Sequence, residues 1–128
     1  MKYSTFLCLL SQAAIARTTT ELTFDGEPSQ AILDEIFAEH DILVSGFSGC
    51  YYGRKTRERM EDLDFSFAML YLDEQGSAWR PWWNFMNKKT GSGTISVMVK
   101  DETAFTSQIA KNKVTDEEII AKIFDMLQ

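Results

Sequence analysis

The sequence predicts a single α+β domain, in which an antiparallel sheet of about four to five strands packs against N-terminal, middle and C-terminal helices. Three observations carry this prediction. The chain has 128 residues, a length that suits one domain over residues 1–128. Apolar residues make up 45% of it, which is enough for one packed core. Strand-like and helix-like repeats both occur, and three strand-like segments follow one another over residues 63–100 as a central meander.

The first sixteen residues allow two interpretations. A modestly apolar run over residues 6–10, followed by Ala14-Ile15-Ala16, has the outline of a secretory signal peptide. Ser4 can instead cap a retained amphipathic helix over residues 4–16, which we favour because the apolar run is short. The retained helix predicts a cytoplasmic protein, whereas cleavage would make it a secreted one. No stretch reaches the roughly 18 apolar residues that a membrane-spanning helix needs.

The first half of the chain predicts alternating strands and helices. Residues 18–24 are rich in threonine and read as a strand. Ser29 can cap a helix that runs to about residue 40, and residues 42–44 look like a short buried strand. Residues 54–62 are almost wholly charged, with arginine and glutamate four residues apart, which predicts one short exposed helix.

Alternation along residues 63–100 predicts the meander. Residues 63–72 alternate as a strand, and residues 73–76 look like a hairpin loop with a left-handed glycine. Residues 78–86 are the predicted return strand, and residues 94–100 are the third. In the return strand, one face would hold Trp79, Trp83 and Phe85 against the core.

The C-terminal segment predicts two helices. Thr115 to Glu118 have the pattern of a capping box, and an apolar stripe at helical spacing follows. A shorter helix is predicted over residues 103–110.

Charge and cysteine content exclude several classes of function. The 19 acidic and 13 basic residues give a net charge of −6, which disfavours nonspecific binding to nucleic acid or to an anionic membrane. Cys8 and Cys50 allow one disulfide at most, and His40 is the only histidine. The usual zinc-ligand spacing is therefore missing, and we expect no metal and no cofactor.

Groups that could carry out catalysis are few. The stretch from Gly46 to Cys50 begins like a nucleophile elbow but lacks its last glycine. A couple of His40 with Ser48 or Cys50 is conceivable, because sequence distance does not fix spatial distance. An acidic cluster could also hold a divalent cation, although a solvated helix end explains it more simply. That cluster consists of Glu61, Asp62 and Asp64. We assign no catalytic residue and expect a protein that is not an enzyme.

Two groups of residues could bind a partner. Glycines at positions 46, 49 and 53 precede a basic run that could hold an anion. The basic run consists of Arg54, Lys55, Arg57 and Arg59. On the outward face of the predicted return strand, Arg80 and Trp82 are residue types that dominate protein interfaces.

These features predict a small acidic binding protein. Its size and charge resemble those of many inhibitor or immunity proteins that neutralise an enzyme by binding it, and a basic protein partner would suit its charge. The alternative is a binder of a nucleotide or another anionic small molecule, with the arginines on the phosphate and a tryptophan on the base. A small hydrolase or transferase is a third, weaker interpretation.

Overall fold

The computed structural model of the protein describes residues 17–128 and contains five strands and four helices in that range. The strands are β1 (Thr19–Glu21), β2 (Ile42–Gly46), β3 (Phe67–Tyr71), β4 (Ile95–Val99) and β5 (Glu102–Phe105). The helices are α1 (Gln30–Glu39), α2 (Tyr51–Asp62), α3 (Trp79–Thr90) and α4 (Asp116–Leu127). The two interpretations of residues 1–16, as a packed helix or as a signal peptide, lie outside the described residues.

The sheet is mixed, so the predicted antiparallel sheet is wrong. Its strand order is β1-β3-β2-β4-β5. The β1, β3 and β2 strands are parallel, while β4 pairs antiparallel with both β2 and β5. The parallel pair β2 and β3 is joined through α2, since parallel neighbours need a crossover connection and cannot be joined by a tight hairpin.

Helices cover both faces of the sheet. On one face, the α2 residue Met60 and the α4 residues Ile119 and Ile123 pack against β2, β3 and β4. On the other face, α1 contributes Leu33 and α3 contributes Trp82. Every residue of β2, β3 and β4 is consequently buried. Such strands read as continuous apolar runs because no face of theirs meets water.

The prediction of a central three-stranded meander is also wrong, because the segment predicted as its return strand forms helix α3. Trp82 and Met86, four residues apart, form the buried stripe of this helix. Pro81 lies in the first turn, where its missing N–H is not needed. The predicted hairpin loop is replaced by two short 3-10 turns over residues 72–74 and 76–78. As a result, β3 and β4 are not neighbours, and β2 lies between them.

The local helix signals are confirmed in three places. The Ser29 hydroxyl accepts a hydrogen bond from the N–H of Ile32 and caps α1. Thr115 and Glu118 form the capping box of α4. The charged segment is helical as α2, although the helix begins earlier, at Tyr51. The short helix predicted over residues 103–110 is wrong, because β5 occupies its first part. None of the helices in residues 17–128 has the length and apolarity that crossing a membrane requires.

Candidate functional site

The candidate site lies where the central strand β2 ends and helix α2 begins. A short loop leads from Gly46 to Cys50, the N-cap residue of α2. Two glycines let the backbone segments approach closely. A Cβ on Gly46 would lie 3.2 Å from the carbonyl oxygen of Thr94, and one on Gly53 would lie 2.9 Å from the carbonyl oxygen of Phe47. The first turn of α2 therefore packs directly on the loop that carries Cys50.

Hydrogen bonds hold this loop in place. Asp73, just after β3, accepts a bond from the backbone N–H of Ser48 at 2.8 Å and another from the Ser48 hydroxyl. The N–H of Cys50 donates to the carbonyl oxygen of Phe47 at 3.1 Å, and the Cys50 carbonyl accepts from the N–H of Arg54 at 3.2 Å. The backbone on both sides of Cys50 is thus anchored, while its side chain makes no capping hydrogen bond.

Cys50 is half-buried and is the only cysteine among residues 17–128, so it forms no disulfide there. The first N–H groups of any α-helix lack intrahelical acceptors, and together with the helix dipole they favour negative charge at this end. The thiolate is the nucleophilic form of cysteine, and reactive cysteines occur at helix N-termini. The arrangement is therefore suited to thiol chemistry.

Two tyrosines follow Cys50 in the first turn of α2, each with a lysine over its ring, and we call Tyr51, Tyr52, Lys55 and Lys111 the tyrosine–lysine strip. The two rings meet edge to face with centroids 6.1 Å apart. Lys55 Nζ lies 5.8 Å from the ring centroid of Tyr51, and Lys111 Nζ lies 5.6 Å from that of Tyr52. Tyr51 is 54% exposed. The strip therefore presents aromatic and cationic surface that begins at the residue after Cys50.

Of the predicted anion-binding residues, Arg57 already has protein partners. It donates to Glu21 at 2.8 Å, to Glu61 at 3.0 Å and to the Tyr71 hydroxyl at 2.9 Å. Partial burial acts to lower the pKa of Arg57, but these three hydrogen bonds outweigh it and raise the pKa above its ordinary value. Arg57 thus joins α2 to β1 and β3.

Arg59 is engaged in the same way on another side of the helix. Its guanidinium donates to Asp116 at 3.0 Å, to the carbonyl oxygen of Val114 at 2.8 Å, and at 3.3 Å to Asn112 and the carbonyl oxygen of Ile109. In contrast, Arg54 and Lys55 are exposed. The anion-binding prediction for Arg54, Lys55, Arg57 and Arg59 stays a prediction, with the first two as its accessible members.

The structure does not bring His40 together with Ser48 or Cys50. His40 lies just before β2, and the other two residues follow its far end. A five-residue strand spans about 16 Å at 3.3 Å per residue. No couple of His40 with either side chain therefore forms in this structure.

The acidic cluster is also dispersed. Glu61 accepts hydrogen bonds from the Thr19 hydroxyl at 2.6 Å and from Arg57, while Asp62 and Asp64 are exposed. Partial burial acts to raise the pKa of Glu61, but the bonds from Thr19 and Arg57 hold it below its ordinary value. Within residues 17–128, no three His, Cys, Asp or Glu side chains are arranged to hold a metal ion.

The assignment of Trp82 to a protein interface is wrong. Its side chain is fully buried, its indole N–H donates to the carbonyl oxygen of Gly26 at 3.1 Å, and its ring stacks on Phe24. The assignment assumed the two-residue repeat of a strand, whereas the helical repeat turns Trp82 inward. Arg80 is exposed and lies over the ring of Trp79, as an outward residue of the helix.

The sequence-based interpretation considered Cys50 as a disulfide partner of Cys8, as a couple with His40 and as a residue of a small hydrolase or transferase, and it assigned Cys50 no catalytic role. The signal that it passed over is the order of elements: a buried strand, a glycine-containing loop, a cysteine and then a helix. That order places a thiol at a helix N-terminus without any histidine. No sequence pattern indicated the contact between Lys111 and Tyr52, because it joins distant parts of the chain.

No family model matches the sequence, and no curated protein matches it. Solved structures do resemble its fold. Reduced glutaredoxin C1 from Populus tremula x tremuloides gives a TM-score of 0.62 at 18% identity, covering 75% of this chain and 82% of that one. A buckwheat glutaredoxin–glutathione complex gives 0.61 at 14% identity, covering 75% and 87%. A wheat glutaredoxin gives 0.59 at 22% identity, covering 74% and 90%.

At these identities the likeness establishes the fold. It corrects the fold class, because the mixed sheet with its four described helices is thioredoxin-like. It also overturns the prediction of an inhibitor or immunity protein, since the similar structures are glutaredoxins, which are redox proteins. The protein has a thioredoxin-like fold.

Proposed function

We propose that this protein is an oxidoreductase-type thiol–disulfide exchange protein that uses Cys50 as its nucleophile and glutathione as its small thiol substrate. The observation that carries the proposal is the position of Cys50. Cys50 occupies the N-cap position of α2, just after the central strand β2. Its side chain makes no hydrogen bond to the N–H groups of the first helical turn. The anchored backbone around it supports the proposal, because a nucleophile held in one geometry reacts more readily.

The reaction consists of two exchanges. The Cys50 thiolate attacks the glutathione sulfur of a mixed disulfide between glutathione and another thiol, and that other thiol leaves as a thiolate. The thiolate of a second glutathione then attacks the glutathione sulfur bound to Cys50. Oxidised glutathione leaves, and the Cys50 thiolate is restored. The net reaction converts the mixed disulfide and one glutathione thiol into the free substrate thiol and oxidised glutathione, so one disulfide is broken and one is formed.

The surroundings of Gly53 support the use of a single thiol at this site. A two-cysteine motif of the Cys-x-x-Cys type would need a second sulfur at position 53. There, even a Cβ would lie 2.9 Å from the carbonyl oxygen of Phe47. The second cysteine of the sequence, Cys8, lies outside the described residues. An external thiol is therefore the proposed partner that releases glutathione from Cys50.

The support for glutathione has two parts. One of the similar structures is a complex of a glutaredoxin with glutathione. Glutathione carries two carboxylates, and Arg54 and Lys55 lie exposed one turn after Cys50. Exposed cations of this kind attract a small anion in a salt-dependent manner.

The test compares Cys50→Ser with Cys8→Ser as the matched control. The assay follows the formation of oxidised glutathione from a peptide–glutathione mixed disulfide and reduced glutathione. We expect Cys8→Ser to turn over the substrate like the wild type and Cys50→Ser to fall to the rate of glutathione alone. Intact-mass measurement should also show one bound glutathione on the wild type and on Cys8→Ser. Wild-type activity in folded Cys50→Ser would refute the proposal.

A further inference from the structure

The tyrosine–lysine strip is a continuous surface that shares Lys55 with the proposed glutathione site and extends beyond that site through the two tyrosines to Lys111. Each lysine lies within the roughly 6 Å of a ring centroid at which cation–π attraction operates, and the two rings touch each other. The strip begins at Tyr51, the residue that follows Cys50. A substrate disulfide at Cys50 therefore lies one residue along the chain from the Tyr51 end of the strip.

The positive charge near the strip is only weakly neutralised. Arg54 and Lys111 form no salt bridge with any residue in 17–128. Lys55 meets Glu58 at 3.8 Å, with both side chains about half exposed or more, a kind of pair that contributes little. Arg57 and Arg59, farther along the same helix, are in contrast fully engaged by protein groups. The positive charges of Arg54 and Lys55, in the N-terminal half of α2, are therefore available to an external anion.

We infer that the tyrosine–lysine strip is a docking surface for acidic polypeptide segments that flank the disulfide of a protein substrate. This inference rests on the proposed function and names the substrate class for the same thiol. Charge complementarity carries it, since aspartate and glutamate next to the substrate disulfide would meet Lys55 and Lys111. The exposed ring of Tyr51 adds an apolar contact for the peptide backbone.

The net charge of the chain favours a short acidic segment over a nucleic acid. A polyanion would meet the long-range field of a protein with a net charge of −6, and that field repels phosphates. A short acidic segment bound at the strip lies within about one Debye length of its cations, so the local charges dominate. The sequence-based expectation of a basic partner considered only the total charge.

The experiment uses three peptides of equal length, each carrying one cysteine as a mixed disulfide with glutathione. The residues that flank the cysteine are acidic, neutral or basic. We expect kcat/KM to fall in the order acidic, neutral, basic, with about a tenfold spread between the extremes at low ionic strength. Raising the salt concentration should bring the three values together.

A charge-reversal variant tests whether the strip sets this order. Lys55→Glu/Lys111→Glu should reverse the preference, so that the basic peptide reacts fastest. The matched control is Lys88→Glu/Lys122→Glu, which changes the net charge equally. Lys122 is a suitable control because its Nζ also lies over an aromatic ring, 5.3 Å from the centroid of Phe105. The control should keep the order of the parent protein.

The outcomes separate this inference from the proposed function. Turnover of the neutral peptide with equal rates for all three peptides overturns the inference and leaves the proposed function standing. No turnover of any peptide refutes the proposed function. A single-stranded oligonucleotide that blocks the neutral peptide would assign the strip to nucleic acid and overturn the inference. Should the reversal variant fail to fold, Lys55→Gln/Lys111→Gln must still lose the preference for the acidic peptide.

Discussion

Helices α2 and α3 are both 12 residues long and pack on opposite faces of the same sheet, yet they bind to it by different means. Helix α3 buries two large side chains, Trp82 and Met86. Helix α2 buries Gly53, Thr56 and Met60, and its first turn lies directly on the loop backbone. One helix is held by side-chain volume, whereas the other is held by backbone proximity and by ion pairs along its sides.

This difference explains why the candidate site lies on α2. A bulky side chain in the first turn would hold the helix away from the loop that precedes it. Gly53 has no side chain, so the helix can contact the loop directly. The anchored loop then determines where Cys50 lies. The arginines farther along α2 fix the helix to β1, to β3 and to the segment before α4. The structural arginines and the accessible lysine of one charged run therefore have separate roles.

Loss of volume on α3 should give the largest effect. We expect Trp82→Ala to lower the free energy of unfolding by about 3–5 kcal/mol, because the fully buried indole also loses its bond to Gly26. Trp79→Ala is the matched control on the same helix, since Trp79 is 36% exposed and contacts Arg80. The control should cost about 0.5–1 kcal/mol. Denaturant titration of both variants measures the two values, and equal losses would contradict the conclusion that buried side-chain volume holds α3.

Backbone proximity on α2 should give an intermediate effect. Gly53→Ala places a Cβ against the carbonyl oxygen of Phe47 and should cost about 1–3 kcal/mol, because backbone must move. Gly49→Ala is the control, since no atom lies within 4 Å of the Cβ it would add. That variant should be neutral or stabilise the fold by up to about 1 kcal/mol.

The same pair of variants links packing to the site. Because the displaced loop carries Cys50, we expect Gly53→Ala to lower the rate of glutathione exchange per folded molecule as well as the stability. Circular dichroism melts and exchange assays on the same samples separate the two effects. If Gly53→Ala melts and reacts like the wild type, the close approach of helix and loop has no functional role.

Local features of the fold were predictable from the sequence, and pairing of distant strands was not. The caps at Ser29 and Thr115 act on residues three positions away, so their sequence patterns suffice to place α1 and α4. The position of β2 between β3 and β4 depends on contacts between remote segments. One signal was available: residues 67–72 are apolar at nearly every position, which is typical of a strand covered on both faces.

The candidate site was predictable only in part, for the same reason. The basic run was visible, and the four-residue spacing indicated the bond from Arg57 to Glu61. Nothing local showed that Arg57 and Arg59 also bind groups outside the helix while Lys55 stays exposed. Trp82 was assigned to the surface because a period of two was applied to a helix. Cys50 was visible as a thiol, but its place at the end of the central strand depends on the sheet topology.

The ion pairs along α2 should give the smallest effect, and it should depend on pH. The folded-state pKa of Glu61 is held below the ordinary value of 4.5. A lowered carboxyl pKa stabilises the fold fully above the unfolded-state value, and this stabilisation is lost as the pH falls through the folded-state value. At pH 7, Glu61→Gln should cost no more than about 0.5 kcal/mol, since a side chain that is 40% exposed is screened by solvent.

The measurement is the difference in stability between the wild type and Glu61→Gln from pH 7 down to pH values well below 4.5. The contributions of groups that titrate in both proteins cancel in this difference. The difference in unfolding free energy, called the gap here, should therefore close only as Glu61 becomes protonated. Glu58→Gln is the control, because Glu58 is 62% exposed and meets only Lys55 at 3.8 Å. It should show no gap at any pH. A Glu61→Gln gap that stays constant with pH would mean that the bonds from Thr19 and Arg57 do not depend on the charge of Glu61, which would contradict a role for this ion pair in holding α2.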